Sequence, residues 1–360
     1  MDRIIFHIDV NSAYLSWSAI DLLQANPDSV DIRTIPAIIG GNRKTRHGIV
    51  LAKSLSAKNI YHIHTAEPVA NALKKCPTLT IVPPDHDSYS RHSKQFVGFL
   101  RSLTSEIEQV SVDECYLDYT TIASRFSSPE EGAAYIRNYI YSHFGFTVNV
   151  GISSNKVLAK MASDFTKPDR VHTLWKSEIQ TKMWPLPVSE LFYVGHASLN
   201  KLRKLGIHTI GELAATDPGI LQAHMKSQGL LIWQYANGID ETAVIDTPPP
   251  AKGYGNSLTT PQDVTEPGIA KQYLLSLSET IAARLRADSV KIGVVSISLR
   301  DWDLRFYGHQ ITLSVPTDLT MEIYHAACQC LSELWDGTPL RHLGIHTSRV
   351  TTDSFRQMQL

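Results

Sequence analysis

Cysteine is scarce in this 360-residue chain. The four present, Cys76, Cys115, Cys328 and Cys330, have the spacing of neither a disulfide framework nor a zinc ribbon. No apolar run approaches the ~20 residues that a membrane-spanning helix needs. The first ten residues lack the basic-then-apolar layout of a secretory leader. An excess of one charge is missing too: 34 Lys and Arg stand against 35 Asp and Glu, for a formal net charge of −1. These absences argue against a disulfide-stapled secreted domain and a helical membrane protein, and they leave a reduced, cytoplasmic enzyme as the expectation. The length allows two or more domains with cores of their own.

Proteins that bind nucleic acids are usually basic, but here the distribution says more than the sum. Between Asp31 and Glu67 there is no acid, while Arg33, Arg43, Lys44, Arg46, Lys53 and Lys58 all fall inside that stretch. Such a run is often no more than a solvated face. Set between acidic clusters, it also suits a surface that faces phosphates.

The acids sit in unusual places. Asp113 and Glu114 interrupt an apolar run in Ser111-Val112-Asp113-Glu114-Cys115-Tyr116-Leu117-Asp118, and Asp9 ends the apolar run of residues 4–9. Buried carboxylates are costly unless a cation offsets them. Divalent metals do this best, and three carboxylates around two ions make a phosphoryl-transfer site. Neighbours in a regular strand face opposite ways. The apolar parity shifts between Val110-Val112 and Cys115-Leu117-Tyr119, so a hairpin turn or bulge is expected at the acid pair. Asp118 reads as a structural acid.

Residues 4–9 read as a buried strand, with Asn11 and Ser12 as caps of a helix over 12–23. That junction aims free backbone N–H groups above Asp9, where anionic phosphates bind well. Residues 147–152 read as another strand, followed by cap candidates Ser153, Ser154 and Asn155 and a helix that Pro168 stops. Lys167 then lies past the helix end, free to reach outward. Together these elements describe an α/β sheet with helices on one face. Residues 191–213 read as short helices joined by glycine turns, the pattern of helix-hairpin-helix units that offer backbone N–H groups to phosphates. The triple proline within residues 246–255 reads as a linker. Beyond it, helices over 273–285 and 321–334 and strands over 290–299, 310–315 and 343–350 form an α+β module.

Five motifs in order carry a family resemblance: Ile8-Asp9-Val10-Asn11-Ser12-Ala13-Tyr14, Gly48-Ile49-Val50-Leu51-Ala52, Ser111-Val112-Asp113-Glu114, the run from Gly151 to Lys160, and Thr166-Lys167-Pro168-Asp169. The chain resembles the Y-family DNA polymerases, most closely the bacterial DinB, or DNA polymerase IV-like, type. The resemblance implies a right-hand, multidomain α/β and α+β fold. Its palm would be residues 1–22 and 80–174, its fingers 23–79, its helix-hairpin-helix thumb 175–240, its linker 241–253 and its little finger 254–355. The tail over 356–360 stands where relatives carry a peptide that docks on the sliding clamp, and the missing aromatic implies that this peptide is cut short or binds weakly.

The implied activity is template-directed, low-fidelity translesion synthesis without proofreading, by a monomer acting on primer-template DNA and deoxynucleoside triphosphates. Two magnesium ions would be held by Asp9, Asp113, Glu114 and the Val10 carbonyl. Ser12 and Ala13 would bind phosphate oxygens through their N–H groups, Tyr14 would be the steric gate against a 2′-hydroxyl, and Lys58 and Lys167 would pair with the triphosphate. Ala52, beside Leu51, would cover the nascent base pair, and Gly195 and Gly206 would mark the DNA-binding hairpins. Leu55 and Lys58 stand where many relatives carry tyrosine and arginine, which removes one hydroxyl contact and replaces a forked guanidinium by a point charge. Asn11 and Ala13 replace the more usual acidic and aromatic residues. A nucleotide cyclase with a similar palm, or a non-catalytic DNA-binding accessory protein, are the alternatives.

Overall fold

The computed structural model describes residues 3–41 and 48–352. Arg43, Lys44, Arg46 and the 356–360 tail lie outside the described residues. The chain divides into two compact units, one mainly of residues up to 248 and the other mainly of residues from 249 onward. Among the described residues no helix is long and apolar enough to cross a membrane.

The first unit runs β1 (Ile5–Val10), α1 (Ala13–Ala25), β2 (Ala37–Gly40), β3 (Val50–Lys53), α2 (Leu55–Asn59), α3 (Val69–Lys75), β4 (Thr80–Val82) and α4 (His86–Leu103). It continues through β5 (Ile107–Gln109), β6 (Glu114–Asp118), α5 (Pro129–Phe144), β7 (Val148–Ser153), α6 (Lys156–Asp164) and β8 (Val171–Thr173). Its main sheet has the order β5-β6-β1-β7-β8. Every residue of β1 and β7 is buried, which requires cover on both faces. On one face Phe6, Ile8 and Val10 pack with Trp17, Tyr89, Phe96 and Ile136 from α1, α4 and α5. On the other, Ile5 packs with Ala159 of α6, and His7 Nδ1 lies 2.8 Å from Ser163 Oγ. The expectation of helices on one face is therefore corrected.

The approach of α6 is close because Gly151 has no side chain. A β-carbon there would lie 2.0 Å from the Ala159 carbonyl oxygen and 2.4 Å from the Ser163 nitrogen. Gly151→Ala should push α6 off the sheet and destabilise the first unit by roughly 3 kcal/mol, a typical overpacking cost. Thermal unfolding reads this directly, and an unchanged melting point would contradict the packing. Local signals set where α6 starts: Asn155 Oδ1 accepts from Leu158 N at 2.9 Å, the cap expected from sequence.

A second sheet, β3-β2-β4, spans residues in which no strand was expected. Its strands are three or four residues long, too short to show an alternation. The helical region holds α7 (His196–Lys204), α8 (Ile210–Ala215), α9 (Pro218–Met225) and α10 (Ser227–Ala236). Residues 191–195, expected as a helix, instead form a turn leading to the Gly195 N-cap. Gly206 turns the chain between α7 and α8 at φ 77°, a conformation costly for residues with a β-carbon.

The second unit comprises β9 (Gly255–Val264), α11 (Pro267–Ala287), β10 (Lys291–Asp301), β11 (Phe306–Thr317), α12 (Thr320–Leu334) and β12 (Leu340–Thr351). Its antiparallel sheet is ordered β11-β10-β12-β9. Leu274, Ile281, Ile323 and Leu331 of the two helices pack on Val295, Ile297 and Ile345. Strand β9 went unread because Asn256, Ser257, Thr259 and Gln262 make it polar. It begins at Gly255, the last residue of the proline-rich 246–255 stretch and inside the 254–355 range expected for the little finger.

Candidate active site

The carboxyl end of β1 meets the β5–β6 hairpin. Asp9 and Glu114 are direct partners across the antiparallel pair, so their side chains share a face. Residues 110–113 form the turn that the parity shift required. Val110 N donates to Glu114 O at 2.9 Å, and Val10 N donates to Asp113 O at 3.0 Å, tying the turn to the end of β1. Asp113 Oδ1 accepts from Ser111 Oγ at 2.6 Å. Asp118 lies at the far end of β6, where it accepts from Arg3 Nε at 3.0 Å and from Thr120 N at 3.0 Å.

Two lysines neutralise this pair. Lys160 of α6 is 8% exposed. Its Nζ lies 2.7 Å from Glu114 Oε1, 3.5 Å from Asp9 Oδ2 and 3.4 Å from Asp164 Oδ2. Lys167 Nζ lies 2.8 Å from the same Asp9 Oδ2 and 2.9 Å from Asp164 Oδ1. Lys167 is thus turned inward onto Asp9, correcting the expectation that it reaches freely outward. Burial pushes the Glu114 carboxyl up; Lys160 pulls it down and Asp9 adds to the rise. Burial alone would lower the Lys160 ammonium, but Asp164, Asp9 and Glu114 outweigh that and hold it above its ordinary value.

Above Asp9 the chain turns into α1 through Ser12, which has left-handed backbone angles (φ 46°, ψ 50°) and caps nothing with its side chain. The expected side-chain caps at Asn11 and Ser12 are therefore corrected. Instead, Asn11 Nδ2 donates to Asn149 Oδ1 at 3.2 Å and Asn11 Oδ1 accepts from Asp169 N at 2.9 Å. Asn149 in turn donates to the carbonyls of Ser163 and Thr166 at 2.9 and 2.7 Å. These amides hold the Lys167 loop against β1. The first N–H groups of α1 have no partner inside the helix. The Tyr14 ring is stacked on Tyr89 at 4.3 Å and 10°, with His86 edge-on at 6.0 Å.

Asp9, Val10, Ser12, Ala13, Tyr14, Ala52, Asp113 and Glu114 line one cavity of about 360 Å³, together with Leu51, Lys53 and Thr65. Lys58 and Lys167 line a neighbouring cavity of about 280 Å³. Ser12 and Lys53 belong to both. The two cavities thus give an acidic floor opposite the β3 strand and a cationic chamber beside it, with the α1 start between them. Gly195 and Gly206 line neither cavity. Among the described residues no three His, Cys, Asp or Glu side chains are gathered closely enough to hold a metal ion as they stand.

Sequence reasoning missed Lys160, Asp164 and the Asn11–Asn149 link. One signal was available: Lys160 and Asp164 are spaced i,i+4 on a helix that is otherwise largely apolar on its buried side.

Residues 8–164 match the impB/mucB/samB family, and residues 251–360 match the C-terminal domain of that family. DNA polymerase IV of Clostridium acetobutylicum is 42% identical over 360 residues, covering 100% of this chain and 90% of the relative. DNA polymerase IV 2 of Bacillus subtilis is 34% identical, covering 100% of this chain and 87% of the relative. Among solved structures, a Y-family DNA polymerase chimera, Dbh-Dpo4(243-245)-Dbh, superposes with a TM-score of 0.83. It covers 97% of this chain and 100% of its own at 20% identity.

Proposed function

The chain belongs to the impB/mucB/samB family of Y-family DNA polymerases and is a DNA-directed DNA polymerase of the translesion type, and we propose that the acid-lined cavity is where it joins a nucleotide to a primer. The observation that carries this reading is the face-to-face pairing of Asp9 with Glu114, with Asp113 and Tyr14 on the same cavity and the start of α1 above it. The nucleotide-cyclase and accessory-protein alternatives are unsupported, because relatives named DNA polymerase IV align over the whole chain.

Family membership implies dependence on a divalent metal. The residues fit one: the available donors are carboxylates and a carbonyl, which suit hard cations, and the paired acids already draw two ammonium groups to themselves. Two magnesium ions would be held by Asp9, Asp113, Glu114 and the Val10 carbonyl. Bound there, they would supply activation of the primer 3′-hydroxyl and stabilisation of the leaving pyrophosphate.

The chain's own groups do the rest. The Ser12 and Ala13 N–H groups and the positive end of α1 receive triphosphate oxygens. Lys58 and Lys167, in the adjoining chamber, neutralise that triphosphate. Tyr14, held by Tyr89, fills the space that a 2′-hydroxyl would need. Ala52 and Leu51 cover the nascent base pair with short aliphatic groups, leaving room for a damaged template. The turn at Gly195, where α7 starts, offers backbone N–H groups to the DNA phosphates. The expectation for Gly206 is corrected, because the N–H groups of Gly206, Ile207, His208 and Thr209 already donate to Arg203 O, Leu202 O and Glu212 Oε2. In this scheme residues 1–22 and 80–174 act as palm, 23–79 as fingers, 175–240 as thumb and 254–355 as little finger, in a monomer whose tail, without the usual aromatic, holds the sliding clamp only weakly.

Primer-template extension with magnesium and the four deoxynucleoside triphosphates tests the reading. Extension that follows the template base is expected. Nucleotide turnover that is indifferent to primer and template would overturn it.

A further inference from the structure

We infer that Lys160 is a positioning residue that serves as a resident counter-ion, holding Asp9 and Glu114 in register and competing with divalent metal for their oxygens. The inference rests on the metal reading above and adds a residue to it. Two like charges face each other across β1 and β6, and in a buried setting such a pair is unfavourable unless a cation lies against it. Lys160 is that cation: its ammonium is 2.7 Å from Glu114 Oε1 and 3.5 Å from Asp9 Oδ2.

The lysine is itself held in place. Asp164, one helical turn on, lies 3.4 Å from Lys160 Nζ and also takes Lys167 at 2.9 Å. Asp9 Oδ2 accepts from both lysines. Because α6 is seated tightly on Gly151, its backbone has little room to withdraw the ammonium. A doubly charged ion arriving at Asp9 and Glu114 therefore meets a fixed positive charge a few ångströms away, and repulsion at that distance weakens its binding. What the chain gains is an acid pair already assembled before metal and nucleotide arrive, which is how orientation contributes to rate.

Manganese alone, followed through the paramagnetic signal of the free ion with no DNA or nucleotide present, separates this role from a merely structural one. Lys160→Met should bind manganese about tenfold more tightly, because one positive charge is gone. With metal saturating, its kcat should fall on the order of a hundredfold for an acid pair no longer held in register, with a much smaller change in nucleotide KM. Lys160→Arg keeps the charge and should hold manganese affinity near that of the unsubstituted chain. If the methionine variant fails to fold, Lys160→Gln reads the same loss of charge.

Asp9→Asn is the control for the underlying site. Manganese binding that Asp9→Asn weakens but Lys160→Met or Lys160→Gln leaves unchanged or weakens overturns the counter-ion role alone. Manganese binding indifferent to Asp9→Asn overturns the metal reading itself.

Discussion

Asp113→Ala should lower template-directed extension on the order of a thousandfold or more, while DNA affinity and thermal stability stay close to those of the unsubstituted chain. Loss of a group that acts on charge developing in the transition state typically removes two to three orders of magnitude, and a metal ligand carries at least that much. The position makes the test clean. Asp113 lies in the hairpin turn, and among the described residues its side chain bonds only to Ser111 Oγ. The bond that ties the turn to β1 uses the Asp113 backbone carbonyl, which alanine keeps. Loss of activity would then not reflect a collapsed sheet. Gel-resolved extension at saturating magnesium, with DNA binding measured in parallel, reads both quantities. Substantial remaining extension would remove Asp113 from the catalytic set.

Tyr14→Ala should raise ribonucleotide incorporation relative to deoxyribonucleotide on the order of a hundredfold, the scale on which shape alone separates substrates differing by one hydroxyl. The ring lines the acid-floored cavity, and its stack on Tyr89 stops it from turning aside. Alanine also removes that stack, so some stability is lost. Tyr14→Phe separates the two effects, since it keeps the ring and its packing and should keep sugar discrimination. Single-nucleotide insertion with each sugar compares the variants. Equal discrimination in the alanine variant and the unsubstituted chain would show that the ring only packs.

Parts of the site were legible early. The parity shift at Asp113 and Glu114 demanded a turn, because a strand cannot send neighbours to one side, and the structure has that turn. Asp9 at the end of an apolar run marked where β1 opens. Lys167 was found by its motif but its direction was misjudged, since a residue just past a helix end says nothing about what it will meet. The amide link from Asn11 through Asn149 was hidden for a similar reason: caps are local, and here the side chain had a better partner on a distant strand. The β2–β4 sheet was missed because its strands are shorter than the alternation needed to recognise them.

The placing of β1, β7 and the capped start of α6 was written in the chain, because periodicity, capping and proline placement act over a few residues. Which charges neutralise which was not. Lys160 and Asp9 are separated by 151 positions, and their meeting depends on β1, β7 and α6 stacking at the one spot where Gly151 allows it. A buried ammonium can be told from a solvated one only once the partners that surround it are assembled.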